Sequence, residues 1–220
     1  MVASRRGQSY HLYGAARSAA SYRVRIALNL KQIPFAETLV DLASGEHLEE
    51  RFRGINPQGF VPALITPDGD VLTQSLAIID FLEEAHPQIA LLPANAAERA
   101  RVRSLAQIIA CDIHPVNNMR VRNHIRTLLP ADPDAVPNWL EKWSAAGFQA
   151  LETRLSKEPA TGLFCHGDKP GLADACLMPQ AYNATLTGFD LEPYPRVREI
   201  VAACAPLPAF QASHLDRIGV

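Results

Sequence analysis

Residues 61–86 read "VPALITPDGDVLTQSLAIIDFLEEAH" and decide the fold. Two short apolar runs, VPALIT and DVLTQ, flank Pro67-Asp68-Gly69-Asp70, whose residue types suit a tight turn, so the two strands are expected to run antiparallel. SLAIIDFLEEAH then spaces its apolar residues at helical period, completing a ββα unit. Upstream, SYHLYG, a helix from about Ser21, PFAETLV and a polar helix near 46–54 form a βαβ unit. Residues 9–88 therefore predict an α/β domain of βαβ-ββα order, a small mixed sheet with helices on its faces. Downstream of HPQIALLPANAAE the strand signal stops. Helical patterns follow at about 97–129, 137–157, 172–188 and 194–204, so residues 96–220 read as an all-α domain.

Composition sets outer bounds. The 220 residues are 48% hydrophobic and 20% charged, enough to bury a core in one or two domains. A net charge of -2 gives no support for nucleic acid or an anionic membrane surface as partner. The start, "MVASRRGQSY", lacks an apolar h-region, and no stretch approaches membrane-span length, so a cytoplasmic protein is expected. Cys111, Cys165, Cys176 and Cys204 show neither a CxxC pair nor metal-ligand spacing, and none is read as catalytic.

Three places have the chemistry of a binding site. In "RSAASYRVRIALNLK", residues 17–31, Val24, Ala27 and Leu28 form an apolar stripe, and the helix opens on small hydroxyl residues. Unpaired first-turn N–H groups there suit an anion at residues 18–21; the same stretch also reads as a plain serine N-cap. In "NPQGFVPALI" the residue before Pro62 is held extended, and a proline at a strand start leaves an edge for another chain to pair with. In "TQSLAIIDFLEE" Ser75 is placed as an N-cap, and N–H groups beyond it suit a carboxylate. His47 and His114 are candidate ligand contacts, or surface histidines. Asp112 and His114, two apart on a helix, point in different directions, and no third ligand joins them, so no metal site is expected.

In order, "RSAASYRVRIALNLK", "INPQGFVPALIT", "LTQSLAIIDFLEE", "CDIHPVNN" and "LADACLMPQ" resemble the zeta class of cytosolic glutathione transferases, and within it the bacterial maleylpyruvate and maleylacetoacetate isomerases. The likeness runs from Tyr10 to about Leu215. It implies a thioredoxin-like glutathione-binding domain, an all-helical substrate domain, glutathione as cofactor and a homodimer. Ser18, Ser21, His47, Val61, Gln74, Ser75, His114 and Asn118 become expected cofactor contacts, with Val61-Pro62 cis and the Val61 backbone pairing with glutathione as a peptide adds to a sheet. Asp174 matches the family's box at the start of the core helix, with Gly171 where a hydroxyl residue commonly caps.

The implied reaction is glutathione-dependent cis-trans isomerisation of a maleyl keto acid to its fumaryl form, in aromatic catabolism. Ser18 and Arg17 are the expected catalytic residues, and Arg17 and Arg120 the substrate cations, Arg120 reading equally as solvated. Ala19 and Ala20 stand where the class shows a second serine and a cysteine. Lowering a thiol pKa from about 8.5 to about 7 takes roughly 2 kcal/mol. A charge-assisted hydrogen bond at about 1.5–3 kcal/mol with a helix terminus at about 0.3–1 suffices without that cysteine. Thr185-Leu186 stands where these isomerases carry a substrate-gripping arginine. Two alternatives accompany this reading: a glutathione transferase, lyase or dehalogenase acting on an aromatic-derived or halogenated acid, and a non-catalytic glutathione-fold binding module.

Overall fold

The computed structural model describes residues 9–214. Two compact units divide the described residues, one of residues 9–91 and 208–214, the other Leu92–Leu207.

The first unit runs β1 (Tyr10–Gly14), α1 (Ala19–Leu30), β2 (Phe35–Leu39), a 3₁₀ turn Glu46–Leu48, α2 (Glu50–Arg53), β3 (Ala63–Ile65), β4 (Val71–Thr73) and α3 (Ser75–Ala85). The sheet order is β2-β1-β3-β4, with β1 and β2 parallel and the β1–β3 and β3–β4 pairs antiparallel. This is the βαβ-ββα order expected from the sequence. One expectation changes: β3 is interior, so Pro62 does not start an edge strand.

The helix α1 has no solvated face over most of its length. Ser21, Tyr22, Arg23, Val24, Arg25, Ile26, Ala27 and Leu28 are all buried, with α3 and α9 (Pro208–Ser213) as helical neighbours. That last helix was expected to belong with the helical domain. It instead docks on α1: Phe210 is buried, and Asn29 Nδ2 donates to Ser213 Oγ at 2.8 Å. Burial of an apolar face, not sequence proximity, decides which unit a short helix joins.

The second unit holds α4 (Ala96–Gln107), a π-helical stretch Ile108–Ile113, α5 (Met119–Leu128), α6 (Ala135–Lys157), α7 (Leu172–Leu186) and α8 (Pro195–Cys204). The single helix expected over 97–129 is broken. Pro115 has no amide to continue the ladder, and Asn118 accepts from the Arg120 N–H at 3.1 Å to cap a new helix. The core closes around Phe148, whose ring stacks on Phe189 at 5.5 Å and tilts against Tyr194 at 5.7 Å. Asp174 ties in the start of α7 by accepting from the Gly171 N–H at 2.9 Å and the Cys165 N–H at 2.8 Å. Burial, the dominant effect, lifts its pKa above the ordinary value against these hydrogen bonds. Burial likewise raises the thiols of Cys165 and Cys204, which keeps them protonated and unreactive.

Candidate active site

Sheet register assembles the first half of the site. Tyr13 pairs with Thr38 on one side and Ala63 on the other, and Ala63 pairs with Thr73. The chain leaving β1 towards Ser18, the chain leaving β2 towards His47, the Val61-Pro62 segment entering β3, and Gln74 and Ser75 leaving β4 therefore share one end of the sheet.

Ser18 is the N-cap of α1, and its Oγ accepts from the Ser21 N–H at 3.2 Å. The hydroxyl proton remains available to donate outward. The turn beneath it is braced from behind. Arg25 donates to the Ala15 carbonyl at 2.9 Å and pairs with Glu37 of β2 at 2.7 Å, both side chains largely buried. Any side chain at residue 14 would strike the Glu37 carboxylate, so β1 ends in glycine. Ser21 differs from its expected role. It is fully buried, its Oγ accepts from the Ala15 N–H at 3.2 Å, and it therefore supports the turn instead of facing a ligand. Arg17, next to Ser18, is exposed.

The Val61-Pro62 peptide is cis, and Val61 lies before the paired residues of β3. The preceding loop is organised by buried Asn56, which donates to the Phe60 carbonyl at 2.6 Å and accepts from the Gln58 N–H at 3.2 Å. Gly59 has φ 64, and an added Cβ would sit 2.9 Å from the His47 carbonyl, so the loop needs glycine both for conformation and for closeness. That contact seats the 3₁₀ turn carrying His47, whose buried Nδ1 has no hydrogen-bond partner among the described residues.

At the start of α3 the cap lies one residue earlier than expected. Gln74 is the N-cap, with φ 67, and no side chain caps the helix; Ser75 is its first residue, buried, accepting from Arg23 Nη1 at 3.4 Å. A non-glycine residue held at positive φ costs about 1–3 kcal/mol, which tertiary contacts must offset. The Gln74 side chain donates to Gln58 Oε1 at 2.7 Å, joining this corner to the Val61 loop. An uncapped helix start with a hydroxyl at its first residue and an arginine behind it suits a carboxylate. Together with the His47 ring and the Val61 backbone outside the ladder, these groups fit an extended peptide with a free carboxylate, which is the chemistry of glutathione.

Sequence reasoning missed Arg23, Arg25 and Glu37. The signal was present: arginines on either side of Val24, in a helix that is apolar nearly all round, are buried and require partners.

The second unit holds the remaining candidates. His114 is half-buried, and its N–H bonds to the Ile109 carbonyl at 2.9 Å, closing the π-helical stretch. Such stretches recur at functional sites. Asn118 spends its side-chain oxygen on the α5 cap, leaving its amide N–H groups to donate, and Arg120 is exposed on the first turn of α5. At the end of α7 the Thr185 hydroxyl donates to the Tyr182 carbonyl at 2.7 Å, and Leu186 is 59% exposed.

Residues 17–85 match the glutathione S-transferase N-terminal domain and residues 133–203 the C-terminal domain. A maleylpyruvate isomerase of Ralstonia sp. is 48% identical over 200 residues, covering 91% of this chain and 94% of the relative. The holo structure of a bacterial maleylpyruvate isomerase, described as a zeta-class glutathione S-transferase, superposes with a TM-score of 0.90 at 45% identity, covering 94% of this chain and 97% of that one. A maleylacetoacetate isomerase structure from Methylobacterium extorquens, solved with malonate and glutathione, has a TM-score of 0.91 at 44% identity, covering 95% and 98%.

Proposed function

Because the chain belongs to the glutathione S-transferase family, in its zeta class, we propose that it catalyses the glutathione-dependent cis-trans isomerisation of a maleyl keto acid, maleylpyruvate or maleylacetoacetate, to the fumaryl form. The observation that carries this reading is the convergence of Ser18, Val61, Gln74 and Ser75 at one end of the sheet.

Glutathione, when bound, supplies a thiol that adds reversibly to the cis double bond, so that the bond can rotate and the trans isomer can leave. Ser18 donates a hydrogen bond from its hydroxyl to the sulfur and, with the positive end of α1, favours the thiolate. The α3 start, with Ser75 and Gln74, takes the γ-glutamyl carboxylate. The Val61 backbone pairs with the cysteinyl part, and the His47 ring adds a further polar contact. Arg17, adjacent to Ser18, supplies positive charge where an enolate and a substrate carboxylate need it. On the family resemblance, His114 and Asn118 add cofactor contacts and Arg120 a second substrate cation. Ser21, being buried, acts through the position of Ser18. A homodimer working in the cytoplasm completes the proposal, and sedimentation of the purified chain tests the dimer.

The purified protein is given each maleyl keto acid, and the fumaryl product is followed. Conversion should require glutathione, and S-methylglutathione should bind but support no turnover. No conversion of either substrate, together with thioether formation or halide release from other electrophiles, overturns the isomerase in favour of a transferase or dehalogenase.

A further inference from the structure

We propose that Gly147 of α6, with Trp139 and Ser144 on the same helix, positions the His114–Asn118 segment and through it sets the affinity for glutathione. The inference rests on the proposed reading of His114 and Asn118 as cofactor contacts, and the geometry behind it lies within the second unit.

A glycine inside the 23-residue helix α6 destabilises it relative to alanine, so its presence calls for a local reason. Gly147 is buried, and a Cβ there would strike Cγ1 and Cδ1 of Ile113, the last residue of the π-helical stretch. Ile113 is itself fully buried, so its side chain has no open space to turn into. In a close-packed interior a methyl group added on α6 must therefore push the π-helical turn aside.

Beyond Ile113 the backbone ladder thins out. The His114 N–H reaches five residues back to the Ile109 carbonyl, Pro115 has no N–H to give, and the Asn117 N–H meets the Ile113 carbonyl only at 3.3 Å. Helix α6 supplies the missing support. Trp139 Nε1 donates to the Val116 carbonyl at 2.9 Å, and Asn117 Nδ2 donates to the hydroxyl of buried Ser144 at 3.1 Å. With the Gly147–Ile113 approach, α6 grips the chain at residues 113, 116 and 117, which fixes how it runs from His114 into the α5 cap at Asn118. Groups that bind a ligand must be held within about 0.5 Å of their productive place. Restoring ordinary contact between an added Cβ and both Ile113 carbons takes a larger movement than that.

Glutathione is titrated calorimetrically into full-length variants. Gly147→Ala should bind it roughly tenfold more weakly, as expected for one or two misdirected hydrogen bonds. Adding Ile113→Ala removes Cγ1 and Cδ1 and leaves a Cβ at 3.6 Å, an ordinary contact, so the double variant should recover wild-type affinity to within about twofold even where its thermal midpoint stays low. Val197→Ala, a buried truncation on α8, should lower the midpoint and leave affinity unchanged. The chain's two tryptophans, 139 and 143, give two indole N–H signals in an NMR spectrum. Exchange protection of the Trp139 indole should fall in Gly147→Ala and return in the double variant. Should Gly147→Ala not fold, Trp139→Phe, which removes the donor to Val116, takes its place and should weaken glutathione roughly threefold. No recovery in the double variant, an equal loss in Val197→Ala, or unchanged affinity in Trp139→Phe overturns the proposal. His114→Ala with Asn118→Ala separates it from the reading on which it rests. Unchanged affinity in that pair overturns the contacts themselves, whereas weakened affinity there with unchanged affinity in Gly147→Ala overturns the positioning role alone.

Discussion

The Arg25 guanidinium lies 2.7 Å from the Glu37 carboxylate while also donating to the Ala15 carbonyl, so one arginine ties α1, β2 and the turn leading to Ser18. Their side chains are 1% and 14% exposed, which puts the pair in the class where losing one partner is far worse than losing both.

Glu37→Ala should therefore cost about 3–5 kcal/mol, and Arg25→Leu with Glu37→Leu together distinctly less. Urea unfolding of the two variants checks this. If the double variant is as unstable as the single one, the pair is not what positions the turn.

Ser18 and Ser21 should separate cleanly. Ser18→Ala removes a cap, about 1 kcal/mol, and should lower turnover roughly a hundredfold with little change in glutathione affinity. Ser21→Ala leaves the buried Ala15 N–H without its acceptor and should cost about 1–3 kcal/mol of stability, with a smaller effect on turnover. A stable Ser21→Ala enzyme that has lost glutathione binding would return Ser21 to the role of direct contact.

Gln74 tests whether backbone strain serves binding. Gln74→Gly and Gln74→Ala lose the same side chain, but only glycine accepts φ 67 without strain. Gln74→Gly should be the more stable of the two by about 1 kcal/mol, and both should bind glutathione equally weakly. Calorimetric affinities that differ between them would mean that the side chain is not the binding element.

Asp174 carries a pH signature. Its pKa is raised in the folded state, so the folded protein binds this proton more tightly than the unfolded chain does. Its contribution is fully present below the unfolded value of about 3.8 and is lost as pH rises through the folded pKa. Relative to Asp174→Asn, wild type should thus lose part of its advantage between pH 4 and pH 7. The variant should still be the less stable at neutral pH by roughly 2–4 kcal/mol, because an amide has one oxygen for two backbone donors. Thermal midpoints of both proteins across that range decide it; an advantage that grows with pH would contradict the raised pKa.

What the sequence determined by itself was local and periodic. Strand and helix order in the first unit, the turn at Pro67-Asp68-Gly69-Asp70 and the place of Ser18 before its helix follow from residue types within a few positions of one another. Only tertiary structure decided the rest, because each remaining feature depends on a partner distant in the chain. The break after Ile113 marks the boundary between the two: Pro115 announces it locally, yet the π-helical closure on His114 does not appear in any apolar period. Ser21 turned inward because Ala15 needed an acceptor, and the α3 cap moved to Gln74 because Ser75 is buried against Arg23. The α9 helix joined the first unit because α1 buries both its faces and takes α9 as a neighbour. Periodicity reports that a face is apolar; it does not report what covers it, and burial free energy is settled only when the covering surface arrives.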